Sequence, residues 1–181
     1  MGRFFQTIRD FDSKANQLTL SKRPYGVIEV INAKLEAIHL KPLPKIVSSV
    51  EASWAGGWGK KRDQPDRVQL FYNQPIGHRN FLALKYVVST IETRWRSVAI
   101  ALSVLDWIAM LKRSDAIVCE LSNSRLSHRL MERYGWESHV KEARRDHYIK
   151  RLYGQYPEQF LFRDGKQKQV LHQSLTSGLT D

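Results

Sequence analysis

Two arginines bracket a tryptophan at the head of an apolar periodicity, in the run Arg94-Trp95-Arg96-Ser97-Val98-Ala99. Between residues 94 and 112, Val98, Ala101, Leu102, Leu105, Ile108 and Ala109 recur at helical spacing, which predicts a helix with that run as its first turn. The first turn of a helix carries N–H groups with no intrahelical acceptor and the positive end of the helix dipole, so it suits an anion, phosphate above all. The arginines add charge there, and the Ser97 hydroxyl is a further donor. Groups able to move a proton are scarcer. Glu120 lies in the apolar run 116–121, His128 lies seven residues before Gly135, and Glu29 sits in an alternating segment. No spacing singles one of them out, and a histidine on a helix surface is more often solvated or structural than catalytic. Six histidines and one cysteine make no His-Glu-x-x-His or Cys-x-x-Cys pattern, so no metal is expected. No Gly-x-Ser-x-Gly elbow or Gly-x-Gly-x-x-Gly turn occurs either.

The elements around these residues follow from periodicity. Residues 81–88 are apolar throughout and read as a central strand, and 115–121 as a second strand buried on both faces. Strand, helix and strand in that order make a crossover unit, which sets the two strands parallel in one sheet. Ser122-Asn123-Ser124 offers helix-capping oxygens. A short helix with Leu126, Leu130 and Met131 on one face is expected next, stopped by Gly135. Upstream, Phe4, Phe5, Ile8 and Phe11 suggest a helix within 1–24. Residues 25–31 alternate as a strand, in competition with a helix running on through residue 38. Lys41-Pro42-Leu43-Pro44 is a stiff connector. Residues 45–54 and 67–72 are strand candidates, 73–77 a turn, and 148–153 a last strand. His139 and His147 flank a basic segment read as a loop.

Strand, capped helix, glycine and aromatic over 114–136, after the run at 94–99, resemble the C-terminal half of the GCN5-related N-acyltransferase (GNAT) fold. The likeness is clearest over 81–137. From Thr93-Arg94-Trp95-Arg96 to Tyr153, with GWE at 135–137 and HYIKRLYG at 147–154, the chain also resembles a bacterial group with no assigned activity. The resemblance implies an α/β fold, a twisted mixed sheet of six or seven strands with helices on both faces. One domain would span 1–164, followed by a frayed tail at 165–181. It implies acetyl-CoA or another acyl-CoA as cosubstrate and an amine as acceptor. The pantetheine arm would lie along Tyr86, Val87, Val88 and Ser89, where the family's fourth strand parts from its fifth. The pyrophosphate would be held by Arg94, Trp95, Arg96, Ser97, Val98 and Ala99, matching the family's Gln/Arg-x-x-Gly-x-Gly/Ala except that Ser97 replaces the central glycine. Asn123 resembles the family's asparagine after the fifth strand. Many members use a tyrosine four residues before the last helix's glycine as an acid; that position is Met131 here, and Tyr134 stands one before Gly135. Glu120 and His128 are then the weak catalytic candidates.

Charge opens a second reading. Lys and Arg number 29 against 18 Asp and Glu, a net +11, which attracts polyanions. Trp54 and Trp58 beside Lys60, Lys61 and Arg62 could stack bases next to phosphate contacts. A nucleic-acid-binding or adaptor protein that keeps the fold without the chemistry is therefore the alternative, and a merely solvated basic surface the plainest one. Mean hydropathy of −0.45 and no apolar run near 18 residues argue against a membrane span. Residues 1–14 hold Asp10 and Asp12 and no apolar signal core. Cys119, the single cysteine, reads as a small core residue, and a cytoplasmic protein is expected.

Overall fold

The structure, a computed structural model, describes residues 6–41, 66–121, 128–142, 145–157, 161–163 and 166–168. Its elements in order are β1 (Gln6–Ile8), α1 (Lys14–Lys22), β2 (Tyr25–Ile31), β3 (Lys34–Lys41), β4 (Arg67–Asn73), β5 (Phe81–Ser89), α2 (Trp95–Leu111), β6 (Ala116–Leu121), α3 (His128–Arg133), β7 (Glu137–Glu142) and β8 (Arg145–Arg151). A small hairpin of β9 (Leu161–Arg163) and β10 (Lys166–Lys168) follows. Eight strands form one mixed sheet in the order β1-β3-β2-β4-β5-β6-β8-β7. β5 and β6 run parallel, as a crossover through α2 requires. Every other adjacent pair described is antiparallel. The expected α/β mixed sheet is thus present, as two antiparallel halves joined at one parallel seam.

Three local expectations are corrected. The first helix lies at 14–22, after Ile8 and Phe11, because Asp10 Oδ1 accepts the N–H groups of Asp12 and Ser13 (both 3.2 Å) and turns the chain there. Ile8 instead joins the sheet opposite Ile38. The helix competing for residues 33–38 gives way to β3, since Asn32 and Ala33 take φ of 49° and 57° and make a two-residue hairpin turn. Most of the segment flanked by His139 and His147 is strand, since residues 140–142 continue β7 and 145–146 open β8. β7 is a polar edge strand, and such a strand gives no alternating apolar signal.

The core lies on one face of the sheet. Ile28, Val30, Leu70, Leu82, Leu84, Ile117 and Tyr148 point to that face and join one buried cluster with α2, Leu20 of α1 and Met131 of α3. All three helices of the described residues therefore pack on the same side. The helix layer expected on the other face has no counterpart among the described residues, and the strand candidate at 45–54 lies outside them. No described helix is long and apolar enough to cross a membrane.

One ion pair runs through this core. Lys150 of β8 donates to Asp106 of α2 at 2.7 Å, with both side chains about nine-tenths buried. Burial pushes the Asp106 carboxyl up, and the charge and hydrogen bond of Lys150 pull against it. Asp106→Ala would strand a buried ammonium and is expected to cost about 3–5 kcal/mol. The double change Asp106→Leu with Lys150→Met should recover most of that loss in urea denaturation. A single-site loss below about 1 kcal/mol would show that the pair is solvated.

Candidate functional site

The parallel seam opens at one end. β5 and β6 pair from Phe81 with Ala116 to Leu84 with Cys119, and the register ends there. β5 continues to Ser89, still paired with β4, but with a shift between Phe71 and Tyr72 that leaves Lys85 as the extra residue. A bulge bends its strand and increases its twist. The bulge falls just where β5 leaves β6, so it is the local cause of the parting. Beyond it Lys85 and Tyr86 are exposed, while Val87, Val88 and Ser89 are half-buried. The notch lies at the carboxyl ends of two parallel strands, the place where open α/β sheets bind ligands.

The first turn of α2 stands beside this notch, but it is already capped. Asp66, only 8% exposed, accepts the Arg94 N–H with Oδ1 (3.3 Å) and the Ser97 hydroxyl with Oδ2 (2.7 Å). Ser97 is fully buried, and its oxygen in turn accepts the Ala33 N–H at 3.0 Å. Its own N–H is bonded to Arg94 O. The serine that replaces the expected glycine is therefore part of an internal lock between the β2–β3 turn and α2. Its hydroxyl proton is not directed to a ligand. Thr90 and Thr93 tie the preceding loop to the main chain of Arg67. Arg94 is exposed, Ala99 half-buried, and Val98 in the core. Trp95 reaches across to the far side of the notch, where its Nε1 donates to the Tyr134 hydroxyl at 2.9 Å, with the rings 5.2 Å apart in a T-shape.

Glu120 and His128 are not brought together. Cys119 points to the helix-covered face and is buried, its thiol pushed up to about 12 by burial. Glu120 next to it points to the opposite face, in register with His147. His128 lies on the helix-covered face. Its Nε2 is 3.0 Å from Glu132 Oε1, and its Nδ1 is 3.3 Å from the Tyr148 hydroxyl. Tyr148 pairs with Cys119, the last β6 residue still joined to β5, so this Glu132–His128–Tyr148 chain stands level with the point of parting. Burial, then the neighbouring Asp146, Cys119 and Glu132, holds the Tyr148 phenol up, so it remains a donor. An open hollow of about 520 Å³ adjoins the chain, lined by His128, Glu132, Gly135, Trp136, Glu137 and Ser138. Met131, where the family has tyrosine, is a core residue at 1% exposure. Gly135 takes φ +77° at the helix end, with the Trp136 N–H closing on Met131 O.

Glu29 belongs to another network, on the opposite face. Arg67, His39 and Gln69 all bond to its carboxylate. Burial raises its pKa, but these bonds and the Arg67 charge outweigh that and leave it below the usual range. It is a structural anion rather than a base. Asn123 and the Trp54–Arg62 loop lie outside the described residues. Among the described residues, no group of three or more His, Cys, Asp or Glu is placed to hold a metal.

No family model and no curated protein matches the sequence. Among solved structures the chain is similar to a candidate acetyltransferase of the GNAT family from Desulfovibrio desulfuricans (TM-score 0.40, 16% identity, covering 52% of this chain and 65% of that one). It is also similar to a protein from Pyrococcus horikoshii (0.40, 14%, covering 81% and 98%) and to nourseothricin acetyltransferase (0.37, 11%, covering 81% and 96%). Likenesses this distant say nothing of chemistry, so the functional reading rests on the geometry of the chain itself.

Two outcomes follow from the side chains. Ser97→Gly should lower stability by about 1–3 kcal/mol, because the Asp66 carboxylate and the Ala33 N–H each lose a partner. An unchanged denaturation midpoint would contradict the lock. Glu29, with its folded pKa held below the ordinary carboxylate value, contributes stability that is complete above that ordinary value and lost as pH falls through the folded pKa. Denaturation between pH 3 and 7 should show this acid limb in the native chain and a shallower one in Glu29→Gln.

Proposed function

We propose that the protein is an N-acyltransferase that moves an acyl group, acetyl in the simplest case, from a thioester to an amine. The observation that carries this is the parting of β5 and β6 beyond Leu84 and Cys119. Main-chain groups of a strand that has left its neighbour can pair with an amide-bearing arm, as one more strand would. A pantetheine thioester, the reactive arm of acyl-CoA, has two such amides. Val87, Val88 and Ser89 are the residues that would receive it, with Trp95 and Tyr134 across the mouth. When bound, the thioester supplies an activated carbonyl with a thiolate leaving group.

The residues of the chain then have separable tasks. The proton released by the attacking amine passes through water to the Tyr148 hydroxyl, which gives its own proton to His128 Nδ1, and Glu132, bonded to Nε2, stabilises the imidazolium that forms. Tyr148 holds the ring from its other nitrogen. A carbon–nitrogen bond forms and the carbon–sulfur bond breaks, and the departing sulfur gains a proton from solvent. Glu120, on the opposite face, has no part in this scheme. The fit is uneven along the donor. The notch suits the arm, whereas the first turn of α2, filled by Asp66, does not suit a diphosphate, so no step is routed through that turn.

The test is amine-dependent release of thiol from acetyl-CoA and from acetylpantetheine over a panel of primary amines. His128→Gln is expected to lower kcat by roughly 10²–10³ and leave the donor KM unchanged. Absence of amine-dependent release from both donors would overturn the proposal.

A further inference from the structure

We infer that Asp66 is a built-in anion that closes the first turn of α2, and that it makes the protein select its acyl donor by the pantetheine arm rather than by the diphosphate. This rests on the thioester reading above and specifies which part of the donor is recognised. Four main-chain or hydroxyl contacts converge on the closure. Asp66 O accepts from Asn32 N (2.7 Å), its carboxylate accepts from Arg94 N and Ser97 Oγ, and Ser97 Oγ accepts from Ala33 N. Both side chains are buried, at 8% and 0% exposure.

The electrostatic consequence follows from what a helix N-terminus offers. It attracts anions through unpaired N–H groups and a dipole end of about half a positive charge. Here a carboxylate is bonded to the turn at the Arg94 N–H and the Ser97 hydroxyl, so these two donors are taken and the dipole end is offset, while the positive charges beside the turn are those of the exposed Arg94 and Arg96 side chains. A diphosphate would meet a buried carboxylate at close range in a poorly screened place. Asp66 cannot swing aside without leaving the Ser97 hydroxyl and the Arg94 N–H unpaired. Gly at position 97 would leave main chain open to approach; Ser97 fills that space and turns its hydroxyl inward. The β5 end differs in both respects, since it is partly exposed and carries no acidic side chain from Lys85 to Ser89.

The experiment is a competition measurement with CoA and pantetheine on the native chain and on Asp66→Asn. Asparagine keeps the size and the acceptor for Arg94, offers an N–H toward Ser97, and removes the charge. On the native chain CoA is expected to bind no more than about threefold more tightly than pantetheine, and on Asp66→Asn the CoA preference should rise at least tenfold with pantetheine unchanged. A native preference for CoA of a hundredfold overturns the inference while leaving the thioester reading intact, and this result needs no variant to fold. An unchanged preference in a folded Asp66→Asn protein overturns it as well. Binding of neither compound to the native chain overturns the thioester reading and the inference together.

Discussion

A buried carboxylate holds the upper end of this molecule together. Asp66 precedes β4, Ser97 lies in the first turn of α2, and Asn32 and Ala33 form the β2–β3 turn; four hydrogen bonds join the three. Each of these places would otherwise hold orphan N–H groups, two in a tight turn and one or more at a helix start. Buried main-chain donors without acceptors are costly, and one aspartate with one serine satisfies them at once. The position of α2 over the sheet, and with it the wall of the notch, depends on this contact. The same contact explains why glycine at position 97 is absent: the lock needs a hydroxyl there.

The notch itself has a separate cause. A sheet with one parallel pair must accommodate a change of hydrogen-bond pattern at the seam. The bulge at Lys85 lets β5 follow β4 while β6 follows β8. The Asp106–Lys150 pair then ties α2 to β8, across the seam at its closed part. At the open part Trp95 and Tyr134 join the two sides again. A seam fastened at depth and parted at the rim is a rigid frame for an extended ligand. Chemistry placed on the His128 side of the seam is then separated from Glu120 by the thickness of the sheet.

Periodicity in the sequence reveals the centre of the fold. The unbroken apolar runs of β5 and β6 with the broad apolar face of α2 between them mark the parallel seam, because a strand–helix–strand crossover sets its two strands parallel. Polar elements are harder to read: β7, with Glu137, Ser138, His139, Lys141 and Glu142, alternates nothing, and its strand conformation comes from pairing with β8. At the site, His128 is visible as a candidate but its partners are not. Tyr148 lies twenty residues further on and Asp66 thirty-one before Ser97, and contacts at such separations leave no local spacing to detect. The role of Ser97 is legible only once Asp66 and Ala33 stand beside it.

The most direct measurement of the central claim is amide hydrogen exchange with saturating acetylpantetheine. New protection is expected in β5 from Lys85 to Ser89, at amides directed away from β4, with no change at Arg94 and Ser97, whose N–H groups already have internal acceptors. Protection confined to residues 94–97, with the end of β5 unchanged, would contradict the claim.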